Sequence, residues 1–149
     1  MPYRSCKFKN GGDYQVVNKG RMGRRIFFDE KDYDRFFELV DRYKNGKVKI
    51  FCMAAVGNHT HFLLRQVSDG GVEKFMRALL MIYARYFHRR HGGVGRLYRG
   101  RFWAGMVKDE DHFYGVMAYV LRNPGKHKMV NLGRDGRSGV RKCSGEDPY

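Results

Sequence analysis

The stretch VKIFCMAAVGNHTHFLLRQV, residues 48–67, decides the fold of this chain. Both of its halves are rich in β-branched, aromatic and other apolar residues, a composition that favours strands. Gly57 and Asn58, which stand between the halves, have the chemistry of a tight turn. We therefore predict a β-hairpin in which one strand covers 48–56 and the returning strand covers 59–67.

Amphipathic helices are predicted outside this hairpin. Asp29 has the side chain of an N-cap residue, and apolar residues then recur at helical spacing as far as Tyr43. A second apolar stripe with this period covers 72–86, and a third covers 113–121. We expect the third helix to cover 110–122 and to stop before Pro124, because proline restricts the residue that precedes it.

Two shorter strands complete the pattern, one at 14–18 and one at 101–107. The order is then strand, helix, strand, strand, helix, strand, helix. This is the α+β pattern of a ferredoxin-like antiparallel sheet with helices packed on it, plus one added C-terminal helix. We expect one domain over residues 1–132. Residues 133–149 are polar and rich in glycine, so we expect a poorly ordered tail there.

Charge is the most informative bulk property. Thirty Lys and Arg residues stand against fifteen Asp and Glu, which gives a formal net charge of +15. This excess favours a polyanionic partner, either nucleic acid or an anionic membrane. We expect no membrane partner, because the sequence has no lipidation motif and no apolar run long enough to span a bilayer. Basic and aromatic residues are mixed in 85–103, which suits single strands because bases stack while phosphates pair with cations.

The three cysteines, Cys6, Cys52 and Cys143, are widely spaced and form no CxxC pair. Neither a zinc knuckle nor a disulfide framework is therefore predicted. We expect free thiols in a reducing compartment. Because the N-terminus has no apolar signal segment, we expect the protein in the cytoplasm, associated with the nucleoid when it is bound to DNA.

A pair of histidines follows the hairpin turn directly. Alternate residues of a strand point to the same face, so His59 and His61 should project side by side while Thr60 points away. Two imidazoles on one face can bind one divalent cation. The pattern is weak evidence by itself, because in most such pairs one histidine belongs to the core and the other to the surface. A third ligand and a reactive group are needed.

The third predicted helix supplies a candidate for each. At about 100° per residue, Tyr119 lies well away from the apolar stripe of this helix, and Asn123 follows it one turn later on the same face. The alternative is an ordinary half-exposed tyrosine. Tyr83 and Tyr86 are rival nucleophiles, but both lie on the apolar stripe of the second helix, so core packing explains them.

Three stretches, VGNHTHFLL at 56–64, GRLYRGRFW at 95–103 and YVLRNP at 119–124, occur in this order in the chain. Together they resemble the HUH endonucleases, in particular the IS200-like transposases and their subgroup of REP-associated tyrosine transposases. The first is similar to the His-hydrophobic-His strand, although Thr60 stands where a bulkier apolar residue is usual. The second resembles the basic segment and the third the nucleophile helix. The resemblance covers about 14–130.

This resemblance implies a single-strand DNA endonuclease and strand-transferase, a transposase that acts on DNA with a hairpin element. It implies Mg²⁺ or Mn²⁺ held by His59, His61 and Asn123. It also implies that Tyr119 is the nucleophile and forms a 5′-phosphotyrosine intermediate. Gly57 replaces a usual proline, which should change only the stiffness of the turn. The segment 125–128 is more basic than usual, which affects the expected specificity for the hairpin or its flank.

Six basic residues are our candidates for contacts with the phosphates of the DNA, although each of them could instead be an ordinary solvated charge. Four of them follow the second predicted helix and two end it: Arg96, Arg99, Arg101, Lys108, Arg89 and Arg90. Relatives of this kind act either as homodimers with shared sites or as self-contained monomers, and the sequence does not choose between these two states.

Three other functions compete. A non-catalytic module that binds single-stranded DNA or RNA explains the charge and the aromatic residues but leaves Tyr119 and the histidines without a role. A metal-dependent hydrolase that activates water would release its products without a protein–DNA adduct. A replication-initiator nuclease would usually accompany a helicase region, and this chain has no Walker-type loop.

Overall fold

The structure is a computed structural model, and it describes residues 7–130 and 140–143. Its strands form one sheet in the order β4-β1-β3-β2-β5-β6, and every neighbouring pair is antiparallel. The strands are β1 Asp13–Lys19, β2 Val48–Val56, β3 His59–Gln66, β4 Trp103–Met106, β5 Lys126–Val130 and β6 Val140–Cys143.

Three α-helices accompany the sheet, namely α1 Glu30–Tyr43, α2 Gly71–His91 and α3 Glu110–Arg122. A short 3-10 turn at Arg21–Gly23 follows β1. The order from β1 to β4, with the central strands arranged as β4-β1-β3-β2, is the ferredoxin-like pattern, and α3 follows it. The prediction of an α+β ferredoxin-like domain with an added helix is confirmed. None of the described helices combines the length and apolar character needed to cross a bilayer.

The sheet separates two apolar clusters, and this separation determines which face of β3 carries the histidines. Phe62 and Leu64 of β3 pack in the larger cluster with residues of α1 and α2. Leu63 packs in the smaller cluster with Val116 and Val120 of α3. Because strand residues alternate between faces, the side chain of His61 lies on the same face of β3 as Leu63 and faces α3.

The ends of α1 and α3 follow from local chemistry. The Asp29 carboxylate caps α1 by accepting a hydrogen bond from the Asp32 backbone N–H at 3.2 Å, which confirms the predicted N-cap. Asp109 caps α3 by accepting from the His112 backbone N–H at 2.7 Å. At the other end of α3, Asn123 is extended with φ −62° and ψ 132°, as expected for a residue before proline.

The sheet extends beyond the four predicted strands. β4 is shorter than the predicted 101–107, and β5 and β6 were not predicted. Gly125 has φ +136°, and a Cβ there would lie 2.5 Å from the carbonyl oxygen of Ala55, so only glycine lets the chain turn back onto β2. The strand Val140–Cys143 lies inside the segment expected to be a tail, and the other residues of that segment are outside the described part of the chain.

Of the three cysteines, only Cys52 has a described side chain. It is a free, buried thiol, as expected, and burial raises its pKa to about 12. The side chains of Cys6 and Cys143 lie outside the described residues.

A buried carboxylate ties the start of α1 to the end of α2. Asp32 accepts hydrogen bonds from the Phe28 backbone N–H and from the Tyr86 hydroxyl, both at 2.9 Å. Arg90 and His91 contact the same carboxylate at 2.7 and 2.8 Å. Burial would raise the pKa of Asp32, but the hydrogen bonds outweigh this effect and lower it. The carboxylate is therefore charged at neutral pH and holds the two helices together.

Replacing Asp32 with asparagine should lower the free energy of unfolding by about 2 kcal/mol at neutral pH, because a buried charge-assisted network is broken. The lowered pKa means that this stabilisation is complete above the ordinary aspartate pKa of about 3.9 and is lost as the pH falls through the lowered value. Urea unfolding at pH values from neutral to acidic measures the difference between wild type and variant, which should shrink in acid.

Glu38 provides the matched control for this prediction. It lies in the same helix, is exposed and pairs with Arg35 three residues away, at 3.1 Å. Glu38→Gln should change the free energy of unfolding by less than about 0.5 kcal/mol, since exposed ion pairs contribute little. Equal losses in the two variants would contradict the role given to Asp32.

Candidate active site

The site forms where α3 crosses the face of β3 that carries the histidines. Residues 113–121 of α3 present their apolar stripe to the sheet, as predicted, with Val116 and Val120 buried. Tyr119 lies beside this stripe, and 54% of its surface is exposed. Its ring lies 5.4 Å from the ring of His61, centroid to centroid, and the rings of His59 and His61 lie 4.7 Å apart. Two distant segments are thus brought together.

Both histidines are uncharged at neutral pH. Burial, with smaller contributions from the neighbouring His59 and Lys19, lowers the pKa of His61 to about 4. Burial and Lys19 also lower the pKa of His59, although a side-chain hydrogen bond with Asn123 opposes them. Neutral imidazoles have a free lone pair, which is the form that binds a metal ion.

Two asparagines orient the site. The Oδ1 atom of Asn58 lies 2.6 Å from Nδ1 of His59 and can only accept, so Nδ1 carries the proton and the lone pair is on Nε2. The Nδ2 atom of Asn123 donates to the backbone oxygen of Tyr119 at 2.9 Å. This bond does not use the amide oxygen of Asn123, and the side chain lies close enough to His59 to raise the pKa of its imidazole.

The residues present fit a divalent cation. Two imidazole nitrogens and an amide oxygen can act as ligands of one divalent cation that keeps further positions for phosphate or water oxygens. Nδ1 of His61 is buried and has no hydrogen-bond partner among the described residues. Within those residues, no group of three His, Cys, Asp or Glu could hold a metal ion, so a third protein ligand beside the two histidines would have to be of another type, such as the amide of Asn123.

A groove passes through this site. Two cavities of about 350 and 510 Å³ lie on either side of it, and both are lined by Lys19, His61, Arg99 and Tyr119. The first continues over β1 and β4 to Trp103, and the second continues to the turn around Met22. A long, basic groove with an exposed tyrosine at its centre suits an extended polyanion.

Comparison with known proteins identifies the family. The sequence matches the family described as "Transposase IS200 like" over residues 10–122, which is most of the chain. The chain belongs to the IS200-like transposase family. This membership indicates a DNA-cleaving enzyme in general, and the match ends at the last residue of α3. A comparison with curated protein sequences gives no significant match.

Solved structures share the fold of this IS200-like transposase at low sequence identity. One is a REP-associated tyrosine transposase bound to a REP hairpin, with 14% identity, a TM-score of 0.66, and coverage of 83% of this chain and 73% of that one. Another is a candidate transposase from Deinococcus radiodurans R1, with 14% identity, a TM-score of 0.51, and coverage of 83% and 98%. At such identities the likeness concerns the fold.

The predicted phosphate contacts of the transposase divide into three groups. Arg99 and Arg101 line the groove beside Tyr119. Arg90 is held by Asp29 and Asp32, and this ion pairing gives it a structural role at the end of α2. The remaining three candidates are exposed but do not line the groove around the site, namely Arg89, Arg96 and Lys108.

The structure also gives the surroundings of the two other candidate nucleophiles, Tyr83 and Tyr86. Tyr83 is fully buried and donates its hydroxyl hydrogen bond to the backbone oxygen of Ile26, and burial raises its pKa. Tyr86 is partly buried and donates to Asp32. Both therefore serve packing, as predicted.

Sequence reasoning missed two groove residues of this transposase. Lys19 pairs with His59 across β1 and β3, and Trp103 pairs with Val17 across β4 and β1. Trp103 belongs to the mixed basic and aromatic stretch, which was the only local signal for it. The position of Lys19 depends on strand pairing alone.

Proposed function

We propose that this transposase is a metal-dependent endonuclease and strand-transferase for single-stranded DNA that acts through a 5′-phosphotyrosine intermediate. The observation that carries the proposal is the meeting of Tyr119 with the neutral histidine pair in one basic groove, at 5.4 Å between the rings of Tyr119 and His61. A binding module has no need to place an exposed tyrosine beside a buried imidazole nitrogen that lacks a hydrogen-bond partner among the described residues.

Tyr119 is the nucleophile in this proposal. Its Oη attacks the scissile phosphorus in line, and the exposed phenol releases its proton to water. The bond from phosphorus to the 3′ oxygen breaks, which leaves a free 3′-OH and a 5′-phosphotyrosine. Because this linkage keeps the phosphodiester energy, attack by a 3′-OH can rejoin the strand without an energy cofactor.

His59, His61 and Asn123 hold the cation in this proposal. When bound there, Mg²⁺ or Mn²⁺ would polarise the scissile phosphate and offset the charge that develops on its oxygens. Asn58 fixes the ring of His59 through its hydrogen bond at 2.6 Å. Arg99 and Arg101 pair with neighbouring phosphates of the strand, because both line the groove beside Tyr119.

The proposed substrate is single-stranded DNA with a hairpin element. A protein of the same fold is described as bound to a REP hairpin, which supports this choice. All four proposed active-site residues belong to one chain, so a monomer can carry a complete site and a dimer need not share one. We propose that the protein acts on this DNA in the cytoplasm.

The proposal is tested with a pool of single-stranded hairpin oligonucleotides, labelled at the 3′ end, incubated with the protein with and without Mn²⁺. We expect a covalent protein–DNA adduct that survives a denaturing gel and forms only with Mn²⁺ or Mg²⁺. Cleavage without any adduct would instead indicate a hydrolase that activates water. Metal-independent binding without cleavage would indicate a non-catalytic module.

A further inference from the structure

The groove floor beyond the active site is an open half of the sheet. α3 packs on β2 and β3, where it buries Leu63 and Ala54. It does not cover β1, whose residues alternate between buried Tyr14 and Val16 on one face and partly exposed Gln15 and Val17 on the other. Among the residues that the structure describes, the half of this face formed by β1 and β4 is therefore free to receive a ligand.

Trp103 lies on this open half. It is the single tryptophan of the chain, and 38% of its surface is exposed. A Cβ at Gly105 would lie 2.7 Å from Cη2 of the indole, so the absence of a side chain at Gly105 lets the ring settle on the strand. The indole is thus held on a strand and lines the groove, an arrangement that can stack a nucleobase.

The charges around Trp103 match a nucleotide better than an apolar partner. Lys19, Arg99 and Arg101 line the same cavity of about 350 Å³, together with His61 and Tyr119. No ion pair between residues of the described part of the chain uses any of these three cations. An aromatic face with uncommitted cations at its border fits a base with the phosphates on either side of it.

We propose that Trp103 forms a subsite for one unstacked nucleobase of the single-stranded substrate, next to the phosphate attacked by Tyr119. The base lies on the indole, and Arg99 and Arg101 hold the adjoining phosphates. Because every base has a π face, this subsite holds the strand without selecting its sequence. The inference rests on the proposed function for its substrate class, but it can be tested separately.

The fluorescence of Trp103 is the measured signal, because Trp103 is the only tryptophan in the chain. The Tyr119→Phe variant, which should not cleave, is titrated with a single strand of about twelve thymidines, a length that spans one binding groove. An abasic deoxyribose-phosphate chain of the same length is the control probe, since it has the same charge and no bases. Binding of each probe is followed independently by the anisotropy of a terminal label.

We expect the thymidine strand to quench the Trp103 fluorescence and the abasic chain to leave it nearly unchanged, although both bind at low salt. Two results would overturn the proposal. One is bound thymidine strand with unchanged emission. The other is equal quenching by the two probes, which would show that phosphate binding alone alters the indole.

Substitutions provide the second measurement. Trp103→Ala should weaken binding of the thymidine strand roughly 10-fold, and Trp103→Phe should recover part of the loss. Binding of the abasic chain should not change. Met106→Ala is the matched control, since Met106 lies on the same strand, is also 38% exposed and does not line the groove. Equal weakening by Trp103→Ala and Met106→Ala would contradict the subsite.

The two proposals fail differently. If the wild-type protein forms no adduct but the thymidine strand quenches Trp103, the stacking subsite stands and the tyrosine chemistry does not. If the adduct forms with Mn²⁺ and quenching is absent, the chemistry stands and the subsite is wrong.

Discussion

Replacing Tyr119 with phenylalanine will abolish the covalent protein–DNA adduct while single-stranded DNA still binds. The substitution removes one oxygen atom, and no other nucleophile lies against the histidine pair among the described residues. Loss of an attacking group lowers the rate by at least about 10⁴-fold, which places the adduct below detection on a denaturing gel. Binding should change by less than about threefold, because a half-exposed hydroxyl contributes little to affinity.

Tyr114 provides a closely matched control. It lies on the same helix, and 55% of its surface is exposed against 54% for Tyr119, but it does not line the groove. Tyr114→Phe should form the adduct at the wild-type rate. If Tyr119→Phe still forms the adduct and Tyr83→Phe does not, the nucleophile is Tyr83 of α2, in spite of its burial.

Local signals in the sequence were sufficient for most of the fold. The carboxylate of Asp29 caps α1, and Pro124 follows the end of α3, because caps and proline act within a few residues. The alternation of His59 and His61 on β3 needs only the geometry of one strand. The exposure of Tyr119 likewise follows from the helical period, which leaves it outside the apolar stripe.

Non-local pairing accounts for what the sequence did not reveal. The strand Lys126–Val130 is basic, a composition that disfavours strands, and it pairs with β2 across more than seventy residues. Lys19 and Trp103 enter the groove because β1 pairs with β3 on one side and β4 on the other. Arg90, which is one of our predicted phosphate contacts, is paired with the carboxylate of Asp29, 61 residues away. Contacts between residues so far apart in the chain leave no recognisable pattern in the sequence next to either residue.

Replacing His61 with alanine will weaken Mn²⁺ binding by at least about 100-fold, since even the partners of metal ligands contribute 10- to 100-fold to affinity. Adduct formation should slow by roughly 10³-fold, because stabilisation of the phosphate charge by the cation is worth several kcal/mol. His61 is the better choice for this test than His59, because it lies between the other histidine and Tyr119. His59→Ala should show the same loss at a less buried position.

Thr60→Val is the control for the loss of His61. Thr60 is the neighbouring residue on β3, is fully buried, and its hydroxyl has no hydrogen-bond partner among the described residues. Valine keeps its shape and removes only that hydroxyl, so folding should be unchanged or slightly improved. Because its side chain points to the opposite face of the sheet from the histidines, Mn²⁺ binding and adduct formation should stay at the wild-type level.

Thermal unfolding separates a metal site from a general effect of the cation on DNA. A ligand at 100 times its Kd stabilises the folded state by about 2.7 kcal/mol, so Mn²⁺ should raise the Tm of the wild-type protein and of Thr60→Val without any DNA present. His61→Ala should lose this rise even if it folds normally at its own lower Tm. An equal rise in His61→Ala would mean that the cation binds elsewhere. Mn²⁺ could also leave the wild-type Tm unchanged while adduct formation still requires it. This result would mean that the cation binds to the DNA rather than to the histidine pair.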